Sequence, residues 1–219
     1  MTTARRTRVY VGLGANVGDA RATLTAAVHA LAALPGSRLA GVSRLYATAP
    51  VGVIDQPEFR NAVAALEVPS GPDPTTGAIA LLIALKNLER AFGRQTRQHW
   101  GPRELDLDLL LFGRAKLAVE RPPAGRSMAA ESDPDRAGAL LAVPHPEAHQ
   151  RLFVLAPLAD LAPGLVPPGW GERVETVRRR LELAEGAAAV RPVGQWNPPT
   201  AGWIPLREGR PPGTPAGSF

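Results

Sequence analysis

The feature that most constrains this chain is a strand with two carboxylates on one side, within Trp100-Gly101-Pro102-Arg103-Glu104-Leu105-Asp106-Leu107-Asp108-Leu109-Leu110-Leu111-Phe112. Residues i and i+2 of a strand share a face, so Leu105, Leu107 and Leu109 point one way and Asp106 and Asp108 the other. Their Cα atoms lie about 6–7 Å apart, and two ionised carboxylates so placed repel unless a positive group sits between them. The apolar run at 109–112 reads as a strand buried on both faces. Paired charges leading into such a strand are costly without a compensating cation. The alternative, a solvated face of an edge strand, accounts for the alternation but not for the apolar continuation. Carboxylate oxygens suit Mg2+, which takes few protein ligands and fills its shell with water and substrate phosphate. Arg94, Arg97, His99 and Arg103, just upstream, are groups that clamp phosphates. Metal-assisted phosphoryl chemistry is the reading these residues favour.

The rest of the composition narrows the setting. A chain of 219 residues, 45% hydrophobic and 21% charged, suits one well-packed soluble domain. It has no cysteine, which rules out disulfides and thiolate metal sites. No apolar run approaches the roughly 20 residues that span a bilayer, and no signal-peptide core is visible, so a cytoplasmic protein is expected. A net charge of +5 would suit nucleic acid. Yet the basic residues are nearly all Arg, with Lys86 and Lys116 as the lysines, and they are scattered among Ala, Pro and Gly. That pattern favours a polyphosphate substrate over nucleic acid.

Taken in order, residues 9–13 form a strand running into a glycine-rich turn, Gly12-Leu13-Gly14-Ala15-Asn16-Val17-Gly18-Asp19. Its glycine spacing is not that of a dinucleotide fingerprint; the glycines read as permissive backbone and Asp19 as a helix cap. Leu24, Ala27, Val28, Leu31 and Leu34 give the helix its apolar face, and Pro35-Gly36 ends it. Strands are expected at 39–46 and 59–68, separated by a shaped loop holding Pro50, Gly52 and Pro57. Phe59 and Asn61 share a strand face, pairing a flat ring with a two-way hydrogen-bonding amide, a combination that suits a planar heterocycle. An aromatic at a strand start also serves as core. Ile79, Leu82, Leu85, Leu88 and Phe92 mark a second helix closed by Gly93, with Glu89 on it. The segment 94–103 reads as a mobile lid. Residues 121–138 read as a flexible insertion, and order returns at 140–143 before Pro144-His145-Pro146. His145 is either a phosphate contact or a plain turn residue. Helices are expected at 147–158 and 172–185, the second ending in Arg178-Arg179-Arg180 beside its C-terminal dipole. The domain is thus expected over 1–185, with a Pro/Gly-rich, partly disordered tail over 186–219.

These segments together resemble the 6-hydroxymethyl-7,8-dihydropterin pyrophosphokinase family. The matching stretches are residues 12–18, Tyr46-Ala47-Thr48-Ala49-Pro50, Asp55-Gln56-Pro57 with Phe59 and Asn61, and Glu89 with Gly93-Arg94. Trp100-Gly101-Pro102-Arg103 leading to Asp106 and Asp108 follows, then Pro144-His145-Pro146 with Arg151 and Phe153. They span about residues 9–185 in the family's order, and Gly-Pro-Arg-x-x-Asp-x-Asp is the most specific among them. The resemblance implies an α+β, ferredoxin-like antiparallel sheet with packed helices. It implies transfer of the pyrophosphoryl group of ATP to the pterin hydroxymethyl, releasing AMP, in folate biosynthesis. By position, Arg94, Arg103, Asp106 and Asp108 would be catalytic, with Asp106 and Asp108 holding two Mg2+ ions. Thr48, Val51, Phe59, Asn61, Asp106 and Phe153 would bind the pterin. Glu89, Arg94, Trp100, Arg103, His145 and Arg151 would surround ATP. A monomer acting on small molecules, without nucleic acid or membrane, is the matching expectation.

Departures from the pattern are Ala15 in place of a common Ser, Ala49 in place of a common Pro, a loop before Trp100 that is one residue shorter, and the long 121–138 connection. Two other classes compete: another Mg-dependent nucleotide phosphotransferase, and a basic ferredoxin-like module that binds nucleic acid. The latter needs aromatics on an exposed sheet face, where this chain has Asp106 and Asp108. Pterin-dependent formation of AMP separates the former.

Overall fold

The computed structural model describes residues 5–50, 55–93, 102–121, 139–186 and 188–206. The first strand, β1 (Arg6–Ala15), alternates buried and half-buried side chains. Val9, Val11, Leu13 and Ala15 face one core, while Tyr10, Gly12 and Gly14 face the other side. The glycine-rich stretch is therefore strand through Ala15, and the expected turn begins only after it. Gly12 and Gly14 are not among the glycines with positive φ, so what they contribute is the missing Cβ rather than an unusual backbone.

Helix α1 (Ala20–Ala32) starts as expected at Asp19, whose carboxylate accepts from Ala22 N–H at 3.0 Å. The stretch expected as one strand at 39–46 is two, β2 (Arg38–Val42) and β3 (Leu45–Thr48). Ser43 separates them; it exchanges main-chain and hydroxyl bonds with Val63 and so leaves the ladder locally. Next come β4 (Phe59–Pro69) and α2 (Pro74–Ala91), the latter capped by Asp73 on Thr76 N–H. β5 (Asp106–Phe112) carries the carboxylates, and its last four residues are all buried. β6 (Leu117–Glu120) and β7 (Ala139–Val143) form a separate two-stranded ladder, so the insertion joins a strand pair; residues 122–138 lie outside the described residues.

The strand order β5-β1-β4-β3, with β2 also on β4 and all pairs antiparallel, is the ferredoxin-like arrangement. α1 and α2 cover one face over a core of Val9, Val11, Leu24, Leu31, Leu66, Leu85 and Leu107. The other face meets α3 (Leu152–Leu161) and α4 (Val174–Glu185) through Val63, Leu110, Leu155, Leu158 and Val177. The single helix expected at 147–158 is instead a 3-10 turn, Ala148–Gln150, followed by α3. Among the described residues, no helix is long and apolar enough to cross a membrane.

The segment after Gly186 corrects the expected boundary at 185. β8 (Val190–Asn197) pairs with β3, and β9 (Gly202–Pro205) pairs with β8, extending the main sheet. Trp203 is 5% exposed, packs edge-on to Trp196 and donates its indole N–H to Ser43 O at 2.9 Å. Residues 207–219 lie outside the described residues.

The Arg178-Arg179-Arg180 triplet sits inside α4 rather than at its end. Arg178 bonds Glu175 and Glu182, Arg179 bonds Glu175 and Arg180 bonds Glu172, so these cations answer carboxylates on their own segment instead of the helix dipole. Hydrogen bonding from Arg178 holds the Glu175 carboxyl down at about 2, against 4.5 ordinarily. A depressed folded-state value contributes stability that is present above pH 4.5 and is lost as pH falls toward 2. Glu175→Gln should therefore melt below the wild type at neutral pH, with the difference closing between pH 4.5 and 2. A calorimetric gap constant with pH would contradict this pairing.

Candidate active site

One row of residues crosses the sheet on the α3 side. Gly14 on β1 is registered with Asp106 on β5 and with Asn61 on β4, and Asn61 with Tyr46 on β3. Directly opposed residues in antiparallel ladders share a face, so Asp106, Gly14, Asn61 and Tyr46 line up across it. Asp108 is opposite Gly12 one step along, and Thr48 is opposite Phe59. The alternation anticipated for Asp106 and Asp108, and for Phe59 and Asn61, therefore places all four on this face. Both aspartates are half-buried, whereas Asn61 and Thr48 are buried.

Asn61 Nδ2 donates to Thr48 Oγ1 at 2.8 Å, with the amide oxygen turned toward Gly14. A Cβ built on Gly14 would lie 3.3 Å from Asn61 Oδ1 and 4.0 Å from the Asp106 Cβ. At Gly12 the equivalent space is taken up by the Leu110 side chain, 3.4 Å away. Gly14 thus keeps a flat strip of backbone between an amide oxygen and a carboxylate. Reading the glycines as a turn missed this; their i, i+2 spacing on a strand was the signal that could have found it.

Arg103 Nη1 lies 3.1 Å from Asp106 Oδ2, so a guanidinium stands beside the acidic pair. Asn16, 3% exposed, ties this segment down: its Oδ1 accepts from Arg103 N–H, and its own N–H donates to Arg103 O. Sequence reading gave Asn16 no role, since its partners are distant in the chain.

Glu89 and His145 both meet the outer edge of β5, the terminal strand of the sheet. Glu89, 2% exposed, accepts from Leu107 N–H at 2.7 Å and from Lys86 Nζ at 2.8 Å, while Lys86 also donates to Leu107 O. This ion pair pins α2 to the strand that carries the aspartates. His145 N–H donates to Leu110 O at 2.9 Å, and its Nδ1 accepts from Glu147 N–H. Arg151 pairs with Glu147 and stacks over the Phe153 ring, 5.6 Å from its centroid. Phe153 packs against Tyr46, Leu152, Ala156 and Val190, beyond Asn61 in the row. Val51, Arg94, Arg97, Trp100 and the greater part of the expected lid lie outside the described residues.

Paired carboxylates with an adjacent guanidinium stand at one end of a ferredoxin-like α+β sheet. The family profile described as 7,8-dihydro-6-hydroxymethylpterin-pyrophosphokinase (HPPK) matches residues 10–163. A 2-amino-4-hydroxy-6-hydroxymethyldihydropteridine pyrophosphokinase of Pseudomonas aeruginosa is 43% identical over 161 residues, covering 74% of this chain and 84% of that protein. One from Methylorubrum extorquens is 38% identical over 175 residues, covering 80% of this chain and 92% of its own. Among solved structures, wild-type Plasmodium falciparum HPPK-DHPS superposes with a TM-score of 0.66 over 95% of this chain and 51% of that one; at 13% identity it shows the fold. The chain belongs to the 7,8-dihydro-6-hydroxymethylpterin-pyrophosphokinase family.

Proposed function

We propose that Asn61, Gly14 and Asp106 of this row, with Thr48, Asp108 and Arg103, form the active site of this pyrophosphokinase. The enzyme transfers the pyrophosphoryl group of ATP to 6-hydroxymethyl-7,8-dihydropterin, giving the pterin diphosphate and AMP in folate biosynthesis. The observation that carries the site is the Cβ-free strip at Gly14 between Asn61 Oδ1 and Asp106. A pterin is planar, and its amino-pyrimidine edge presents N–H donors; two acceptors flanking a flat floor match that edge. Phe59 shares this face, and Phe153 stands beyond it, so the two rings supply apolar cover for the heterocycle.

The nucleotide is assigned to the outer edge of β5, where Glu89 and His145 stand, with Arg151 nearby and the phosphates directed toward Arg103 and the aspartates. A guanidinium fork matches phosphate oxygens better than a single carboxylate oxygen, so Arg103 can exchange Asp106 for an arriving phosphate. The donor set fits Mg2+: Asp106 and Asp108 offer hard carboxylate oxygens on one face of β5, opposite Gly14 and Gly12, and this ion needs only one or two carboxylates plus phosphate. Asp106 and Asp108 would hold two Mg2+ ions, which when bound supply charge neutralisation on the polyphosphate and polarisation of the attacking hydroxyl. Arg94 and Trp100 complete the proposed ATP contacts, and Val51 the pterin contacts. The same reading keeps the enzyme a cytoplasmic monomer, in line with its small-molecule substrates.

The deciding assay follows nucleotide products with Mg2+ and ATP, with and without 6-hydroxymethyl-7,8-dihydropterin. AMP should form only with the pterin, in a one-to-one ratio to pterin diphosphate. ADP as the product, or AMP formed without the pterin, would overturn the reading.

A further inference from the structure

Asn16 fastens together the two halves of the proposed site. It lies just past β1, and its amide orientation is settled by its main-chain partners. Oδ1 accepts from Arg103 N–H at 2.7 Å, and that N–H can only donate. Nδ2 points at Pro57 O, 3.1 Å away, and that carbonyl can only accept; Gln56 Oε1 is 3.0 Å from the same nitrogen. The Asn16 main chain adds a bond from its N–H to Arg103 O at 3.0 Å. One buried side chain thus joins three segments separated in sequence by 87 and 40 residues. Its two tethers lead to different places. Arg103 is three residues before Asp106 and pairs with it; Gln56-Pro57 runs directly into Phe59 and Asn61.

We infer that Asn16 is a positioning residue of the transfer reaction, setting the phosphate side through Arg103 and the pterin side through Gln56 and Pro57. The inference rests on assigning Asn61 and Phe59 to the pterin and Arg103 to phosphate. In-line transfer needs the hydroxymethyl oxygen held at a fixed distance from phosphorus, and a misplacement of about 1 Å costs on the order of 10²-fold in rate. A single amide that anchors both approaches ties the two distances together. Its side-chain oxygen and nitrogen are both bonded to protein groups.

The two tethers can be cut separately. Asn16→Asp keeps an acceptor for Arg103 N–H but replaces the donor group by an anion facing two oxygens, so the Gln56-Pro57 side is released alone. Its kcat should fall about tenfold or more as the hydroxymethyl loses its set distance from phosphorus, and its KM for the pterin should rise about tenfold, the effect of one buried bond replaced by an unsatisfied contact, while KM for ATP stays within about twofold. Asn16→Ala cuts both tethers and should raise both KM values. Hydrogen exchange at the Arg103 amide gives an independent readout: slow in wild type and Asn16→Asp, fast in Asn16→Ala. Equal changes in the two KM values of Asn16→Asp, or no change in either, would overturn the inference. So would loss of folding in both variants, which would make Asn16 purely structural. If wild type makes no pterin-dependent AMP, the functional reading fails; if it does and Asn16→Asp shows no split, only this inference fails.

Discussion

Asp108→Asn is expected to lose most turnover, on the order of 10²-fold or more, while its melting temperature stays near that of the wild type. The side chain is half-buried on β5 opposite Gly12, and the carboxamide keeps its shape, so packing of Leu107 and Leu109 on the far face is undisturbed. What the substitution removes is a negative charge. An anion placed beside Asp106 raises the energy of the free enzyme, and cations and a polyphosphate assembling there would lower it further than Arg103 alone does. AMP formation at saturating Mg2+ and ATP, measured beside thermal unfolding, provides the check. Turnover near the wild-type rate would remove Asp108 from the metal site and leave Asp106 as its one described carboxylate.

Gly14→Ala should weaken pterin binding far more than it changes stability. In a strand, Ala is favoured over Gly by roughly 0.5–1 kcal/mol through backbone entropy, which offsets part of the strain of the added methyl, so the variant should still fold and melt within a few degrees of wild type. Its Cβ, however, would lie 3.3 Å from Asn61 Oδ1, a contact that only a small shift of the amide relieves. That amide is already bonded to Thr48, so the shift would disturb the acceptor proposed for the pterin. A methyl group standing on the floor would also lift a flat ring. A clash of about 1–3 kcal/mol met when the pterin binds is equivalent to roughly a fivefold to 150-fold rise in pterin KM. Titration of the pterin against the stable variant measures it. Unchanged pterin affinity would place the heterocycle elsewhere on the sheet.

Much of the site is written in local pattern. Two-residue periodicity alone puts Asp106 with Asp108, and Phe59 with Asn61, because alternation is a property of a strand wherever it ends up. The helix beginning at Asp19 is equally local, its cap lying three residues from the amide it satisfies. The apolar run at 109–112 announced a strand buried on both faces, and its residues are buried.

The sequence by itself therefore determined which side chains share a face, where α1 begins and which carboxylates stand together. Only the tertiary structure decided what lies across from them. Gly14 becomes a floor because β1 runs between β4 and β5 in one register, and a register links residues 47 and 92 positions apart. The segment after Gly186 shows the same limit: it has no apolar periodicity, yet Val190–Asn197 joins the edge of β3 and Trp203 finds Ser43 O, 160 residues away. Asn16 and the Lys86–Glu89 pair also acquire their roles through unpaired main-chain groups on distant segments. Those groups must be satisfied once they are removed from water, but which side chain satisfies them is set by how the strands and helices pack, a relation that no local spacing encodes.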